Sequence, residues 1–148
     1  MAYDPFLSND EFDGVTRVAS IKEGLEKTDF VSLHIPKADS VILGAAELEL
    51  LPRHAVIINT ARGGTIDEAA LIDRLKQNKI GAVGLDVLAD EPPSIDNPLF
   101  QFDNVIITPH SAGLTEECAK RMALVCVQNT LDYFNGNLDQ SLVVNGIS

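Results

Sequence analysis

Short apolar runs alternate with amphipathic stretches along most of the chain. The runs Phe30–Ile35, Ala55–Thr60, Ala82–Val87 and Asn104–Thr108 are rich in Val and Ile, as in strands buried on both faces. Ala2–Asp4 reads as the last stub of another strand. Between the strands, Ser20-Ile21-Lys22-Glu23 has capping-box spacing and predicts a helix through about Lys27. A short helix over Gly44–Leu51 is stopped by Pro52. Asp67 caps a helix through about Asn78, with Leu71 and Leu75 one turn apart on a buried stripe and Gly81 at its exit. Thr115 caps a last helix reaching Asn135-Gly136, on which Cys118, Met122, Val125 and Cys126 share a face. Strands alternating with helices predict an α/β fold, a parallel sheet with helices on both faces.

That architecture says where chemistry belongs. In open parallel sheets ligands bind beyond the carboxyl ends of the strands, where the loops Pro36–Ser40, Ala61–Thr65, Leu88–Pro98 and Pro109–Leu114 collect. Three ionisable residues stand there after three different strands: Arg62 in Asn59-Thr60-Ala61-Arg62-Gly63-Gly64, Glu91 in Asp86-Val87-Leu88-Ala89-Asp90-Glu91-Pro92, and His110 in Thr108-Pro109-His110-Ser111-Ala112-Gly113. A guanidinium offers a planar fork to a carboxylate, and a histidine exchanges protons near neutral pH. A neighbouring carboxylate holds the imidazole and raises its pKa. The combination suits the reduction of a 2-keto acid. His34 ends another strand and is read either as lining the same crevice or as a packed, hydrogen-bonded residue. His54 precedes a strand and is read as merely exposed.

Composition narrows the partners. A chain of 148 residues suits one domain with a single core. With 11 Lys+Arg against 22 Asp+Glu, its net charge of −11 repels phosphate backbones and anionic lipid, so neither nucleic acid nor membrane is expected. No stretch approaches the roughly 20 apolar residues of a spanning helix, and Met1-Ala2-Tyr3-Asp4-Pro5 has no basic leader or signal core, so a cytoplasmic location is expected. Cys118 and Cys126 lie about 12 Å apart along one helix, too far for a disulfide, and are expected to be buried. The histidines and cysteines lack metal-ligand spacing, so no metal is expected.

The motifs around Arg62, Glu91 and His110, together with Ala2-Tyr3-Asp4-Pro5, Leu33-His34-Ile35-Pro36 and the closing Val143-Val144-Asn145, resemble the D-isomer-specific 2-hydroxyacid dehydrogenase family. Pro109-His110-Ser111-Ala112-Gly113-Leu114-Thr115 is most similar to its phosphoglycerate and hydroxypyruvate dehydrogenases. The resemblance implies a Rossmann-like NAD-binding domain. It implies that Arg62 anchors the substrate carboxylate and carbonyl, that His110 protonates the carbonyl oxygen as hydride arrives, and that Glu91 orients protonated His110. It also implies that Asp86 faces the nicotinamide carboxamide and that Ile35, Thr60, Ala61, Arg62, His110 and Gly113 line the cofactor. Asp4 would accept hydrogen bonds from the adenosine ribose hydroxyls and repel a 2′-phosphate, favouring NAD over NADP. A rival reading is a non-catalytic, NADH-sensing binding module like the C-terminal-binding-protein corepressors, which share the fold and the trio.

A domain of this family opens with a strand, Gly-x-Gly-x-x-Gly and a helix that holds the cofactor pyrophosphate. No such motif occurs among the 148 residues; Gly81 and Gly84 precede a strand and no helix. The chain is therefore expected to be residues 1–148 of a partial NAD-binding domain, with the substrate domain absent. Unpaired strand edges should then call for a complementary N-terminal fragment or a second copy, and turnover by the chain alone should be slight.

Overall fold

A computed structural model describes residues 1–8, 11–36 and 40–144. The middle of the Pro36–Ser40 loop and Asn145 of the closing motif lie outside them. The chain divides into two compact units, Met1–His110 and Ser111–Ser148.

The first unit contains α1 (Ile21–Leu25), β1 (Phe30–Leu33), α2 (Ala45–Leu50), β2 (Val56–Asn59), α3 (Glu68–Lys76), β3 (Ala82–Leu85) and β4 (Val105–Ile107). A 3-10 turn, Pro98–Gln101, precedes β4. Each strand is shorter than its apolar run because the last residues turn into the loops, although Asp86 N–H and Thr108 N–H still donate to Asn59 and Leu85 carbonyls at 2.9 Å. The caps fall where the sequence places them. Ser20 Oγ accepts from Glu23 N–H at 3.2 Å, and Asp67 Oδ1 from Ala70 N–H at 3.0 Å. Glu23 completes its box one residue early, accepting from Ala19 N–H at 3.0 Å. The exit of α3 is made by Asn78, at φ 53°, rather than by Gly81. Gly81 serves a close approach instead: a Cβ there would stand 2.4 Å from the His54 carbonyl oxygen.

The four strands are parallel in the order β1-β2-β3-β4. Right-handed crossovers between successive neighbours put every connecting helix on the same side of the sheet. Accordingly the rows Val31–Ile57–Val83–Val105 and Leu33–Asn59–Leu85–Ile107 face the helices. Ile57, Val83 and Leu85 join Leu25, Leu48 and Leu71 of the helices in one core cluster. Burying each of the larger side chains contributes roughly 1.5–3 kcal/mol.

The expectation of helices on both faces concerns the whole chain; within this unit the helices cover one face of the sheet. The row Ser32–Ile58–Gly84–Ile106 lies on the opposite face, where Ile58 is 38% exposed and Ile106 70%. A second difference concerns Ala2–Asp4, where Ala2 forms only an isolated parallel bridge with Arg17. Its hydrogen bonds run from Ala2 N–H to Thr16 C=O and from Val18 N–H to Ala2 C=O. The segment Thr16–Val18, not assigned from the sequence, thus runs parallel beside it.

The second unit holds α4 (Glu116–Phe134), capped by Thr115 Oγ1 on Cys118 N–H at 3.1 Å, and a 3-10 turn, Gln140–Leu142. No residue of α4 is buried. Cys118 is half-buried and Cys126 exposed, which corrects the expectation of two buried cysteines; both thiols are free. Among the described residues no helix is long and apolar enough to cross a membrane, and no cluster of His, Cys, Asp and Glu is arranged to hold a metal.

Candidate active site

The turn after β2 is shaped by two buried polar side chains, Asn59 and Thr65. Asn59 Oδ1 accepts from Ala61 N–H at 3.0 Å, while its Nδ2 donates to the Arg62 carbonyl and to Thr65 Oγ1, each at 3.0 Å. Thr65 Oγ1 donates to the same carbonyl at 2.7 Å. An Asn at the strand end therefore determines how the loop leaves the sheet. Ala61 is buried and Thr60 and Arg62 are exposed at its outer edge. The Arg62 guanidinium donates from Nη1 to the Ala61 carbonyl at 2.6 Å.

Beyond β3 the chain turns so that Leu88 N–H donates to Glu91 Oε1 at 3.0 Å. The other carboxylate oxygen, Oε2, meets His110 Nδ1 at 2.8 Å. Glu91 is held below its ordinary carboxylate range, first by the hydrogen bond from His110 and then by the Leu88 N–H. His110 follows β4 in the left-handed region, at φ 51°. A non-glycine residue persists there only when its surroundings hold it. Here its N–H donates to the carbonyls of Asp86 and Thr108, at 2.9 and 3.0 Å.

Asp86 is 4% exposed, and its carboxylate accepts a short hydrogen bond from the Thr108 hydroxyl. Asp86, Glu91, Thr108 and His110 border a cleft of about 410 Å³ whose walls include Pro92 and Phe100. The structure thus brings Glu91 and His110 into contact and Asp86 beside them. Arg62 sits on the adjoining turn: the Gly63 backbone lies so close to Leu88 that a Cβ would stand 1.8 Å from the Leu88 carbonyl oxygen.

The remaining expected positions are more dispersed. Ile35 packs partly against the core. Asp4 Oδ1 accepts from Phe6 N–H at 2.8 Å, closing a small turn. Gly113 belongs to the second unit. His34 is exposed, with Nε2 2.8 Å from Ser32 Oγ. His54 is exposed as expected but not isolated, because its Nε2 lies 2.6 Å from Asp29 Oδ1. Thr108 and Glu68, which touch Asp86 and the Glu91 turn, were not singled out from the sequence. Their signal was slight, since a Thr at a strand end and an acidic residue at a helix start are both common.

A parallel sheet whose strand-end loops carry a buried aspartate, a carboxylate-held histidine and an arginine has the form of an open α/β domain, the class that binds ligands beyond its strand ends. Residues 1–112 match the model of the D-isomer specific 2-hydroxyacid dehydrogenase NAD-binding domain, and the chain belongs to that family. It is similar to D-3-phosphoglycerate dehydrogenase of Methanocaldococcus jannaschii, 40% identical over 147 residues, covering 97% of this chain and 28% of that protein. Among solved structures it is similar to a D-isomer specific 2-hydroxyacid dehydrogenase from Lactobacillus delbrueckii ssp. bulgaricus in its NAD complexed form. That match has a TM-score of 0.85 and 31% identity, over 95% of this chain and 47% of that one. It is also similar to an acyclic imino acid reductase in complex with NADPH and D-Arg, with a TM-score of 0.83 and 36% identity, over 92% of this chain and 43% of that one. The chain therefore spans less than half the length of each. NAD is the cofactor of this domain family.

Proposed function

We propose that this chain supplies the NAD-binding and acid–base part of a 2-hydroxyacid dehydrogenase acting on a small 2-keto acid. The observation that carries the reading is the contact between His110 Nδ1 and Glu91 Oε2 at 2.8 Å, made by loops that leave two adjacent strands. With Nδ1 turned to the carboxylate, Nε2 is the ring nitrogen left to exchange a proton with substrate. Protonated His110 gives that proton to the carbonyl oxygen, and Glu91 stabilises the imidazolium before transfer. Arg62 pairs with the substrate carboxylate through its planar fork.

Bound NADH supplies the hydride, so that 2-keto acid, hydride and proton together yield the 2-hydroxy acid. The donor set fits the cofactor: buried Asp86, oriented by Thr108, faces the cleft as an acceptor for an amide N–H donor such as a carboxamide. Ile35, Thr60 and Ala61, all of the first unit, would add to the lining of the cofactor. Asp4, at the start of the chain, would accept from ribose hydroxyls and disfavour a 2′-phosphate, giving a preference for NAD. A cytoplasmic location is part of the same reading.

The edge position of β1 and the open row Ser32–Ile58–Gly84–Ile106 support a strand-bearing partner, either a complementary N-terminal segment or a second copy. The test is NADH oxidation with glyoxylate and hydroxypyruvate, by the chain alone and co-expressed with the reading frame immediately upstream. Turnover in the paired preparation, lost in His110→Gln, is the expected result. No NADH oxidation in either preparation would overturn the reading.

A further inference from the structure

The dipeptide Leu88-Ala89, just beyond β3, is engaged from three directions. Leu88 N–H donates to Glu91 Oε1 at 3.0 Å. The Leu88 carbonyl presses on the Gly63 backbone, with no room for a methyl group between them. Ala89 N–H donates to Glu68 Oε1 at 2.6 Å, across 21 positions of sequence. Glu68 is the half-buried first residue of α3, the helix that follows the Arg62 turn. It is not needed as a cap, because Asp67 already accepts from Ala70 N–H. A hydrogen bond from a backbone N–H to a carboxylate is roughly twice as strong as one between neutral groups. One carboxylate thus ties the start of α3 to the turn that delivers Glu91.

We propose that Glu68 is a positioning residue: through Ala89 N–H it clamps the Leu88–Glu91 turn onto the Gly63 backbone, and so sets where Glu91 meets His110. Its effect on the reaction rests on the acid–base role proposed above, but the clamp itself does not. Without Glu68, the turn loses its hydrogen bond to the start of α3, and the placement of Glu91 against the imidazole loosens.

The experiment is solution NMR of the 148-residue chain with Glu68→Ala and Glu68→Gln, following the Glu91 carboxyl and the Leu88 and Ala89 amides through an acid titration. Glu91 titrates below its ordinary range because His110 and Leu88 donate to it. The expected result is an upward shift of Glu91 in Glu68→Ala, while Glu68→Gln, which keeps the acceptor oxygen, restores wild-type behaviour. A role confined to the helix dipole would leave Glu91 unmoved in both variants and would overturn the proposal. Should Glu68→Ala fail to fold, the wild-type chain decides the matter, since the Ala89 amide resonance must follow protonation of Glu68. An Ala89 resonance indifferent to Glu68 overturns the clamp. None of these readouts needs NADH or a keto acid. A Glu91 shift without NADH oxidation would therefore sink the proposed function and leave the clamp standing.

Discussion

The imidazole of His110 and the carboxylate of Glu91 meet at 2.8 Å, with 52% and 39% of their side chains still open to solvent. The hydrogen bonds from His110 and Leu88 lower the Glu91 pKa in the folded protein. A lowered carboxylate pKa contributes stability that is fully present above the unfolded value, and lost as pH falls through the folded one. The unfolding free energy of wild type relative to Glu91→Gln should therefore shrink as the pH falls below roughly 5. Urea denaturation across that range measures it, and a difference independent of pH would contradict the assignment.

The contact between Gly63 and Leu88 makes a steric prediction. A Cβ at Gly63 would stand 1.8 Å from a backbone carbonyl oxygen, so one of the two loops must move. Gly63→Ala should cost about 1–3 kcal/mol and disturb the Glu91 titration. Gly84→Ala, whose Cβ would meet nothing within 4 Å, should change stability by less than about 0.5 kcal/mol. Paired denaturation curves test the contrast.

Thr108 supplies a hydroxyl to a carboxylate that is almost wholly out of water. Removing that donor leaves Asp86 with one partner fewer. Thr108→Val should destabilise the fold by about 1–3 kcal/mol, whereas Thr108→Ser should behave as wild type. Thermal melts of the two variants side by side would settle whether the hydroxyl or the methyl group matters.

The two sides of the sheet should respond differently to truncation. Ile57, fully buried against the helices, should cost about 2–5 kcal/mol as Ile57→Ala. Ile106, 70% exposed on the opposite side, should cost less than about 0.5 kcal/mol as Ile106→Ala. Equal losses would mean that the second side is covered in solution.

Much of this was legible in the sequence because it depends on local rules. Four apolar runs gave four strands, and Ser20, Asp67 and Thr115 cap the helices assigned to them. Glu91 and His110, 19 positions apart in sequence, do meet. What escaped is what sequence pattern does not encode. The apolar runs look alike on both sides of a strand, so the exposure of Ile58 and Ile106 follows from topology and not from residue type. Thr16–Val18 is too short and, with Thr16 and Arg17, too polar to stand out, and only its pairing with Ala2 reveals it. The role of Gly63 as a contact surface, and the reach of Glu68 to Ala89, require two loops to be in place before they have meaning.

The row Ser32–Ile58–Gly84–Ile106 also bears on how this chain behaves in a tube. It presents greasy surface on a polypeptide with 22 acidic and 11 basic residues, so attraction at short range opposes repulsion at long range. Added salt shortens that repulsion, to about 10 Å at 0.1 M and about 3 Å at 1 M, while leaving the greasy contact intact. Ionic strength should accordingly act as the control on colloidal stability: light scattering should rise with sodium chloride, and Ile106→Lys should suppress the rise.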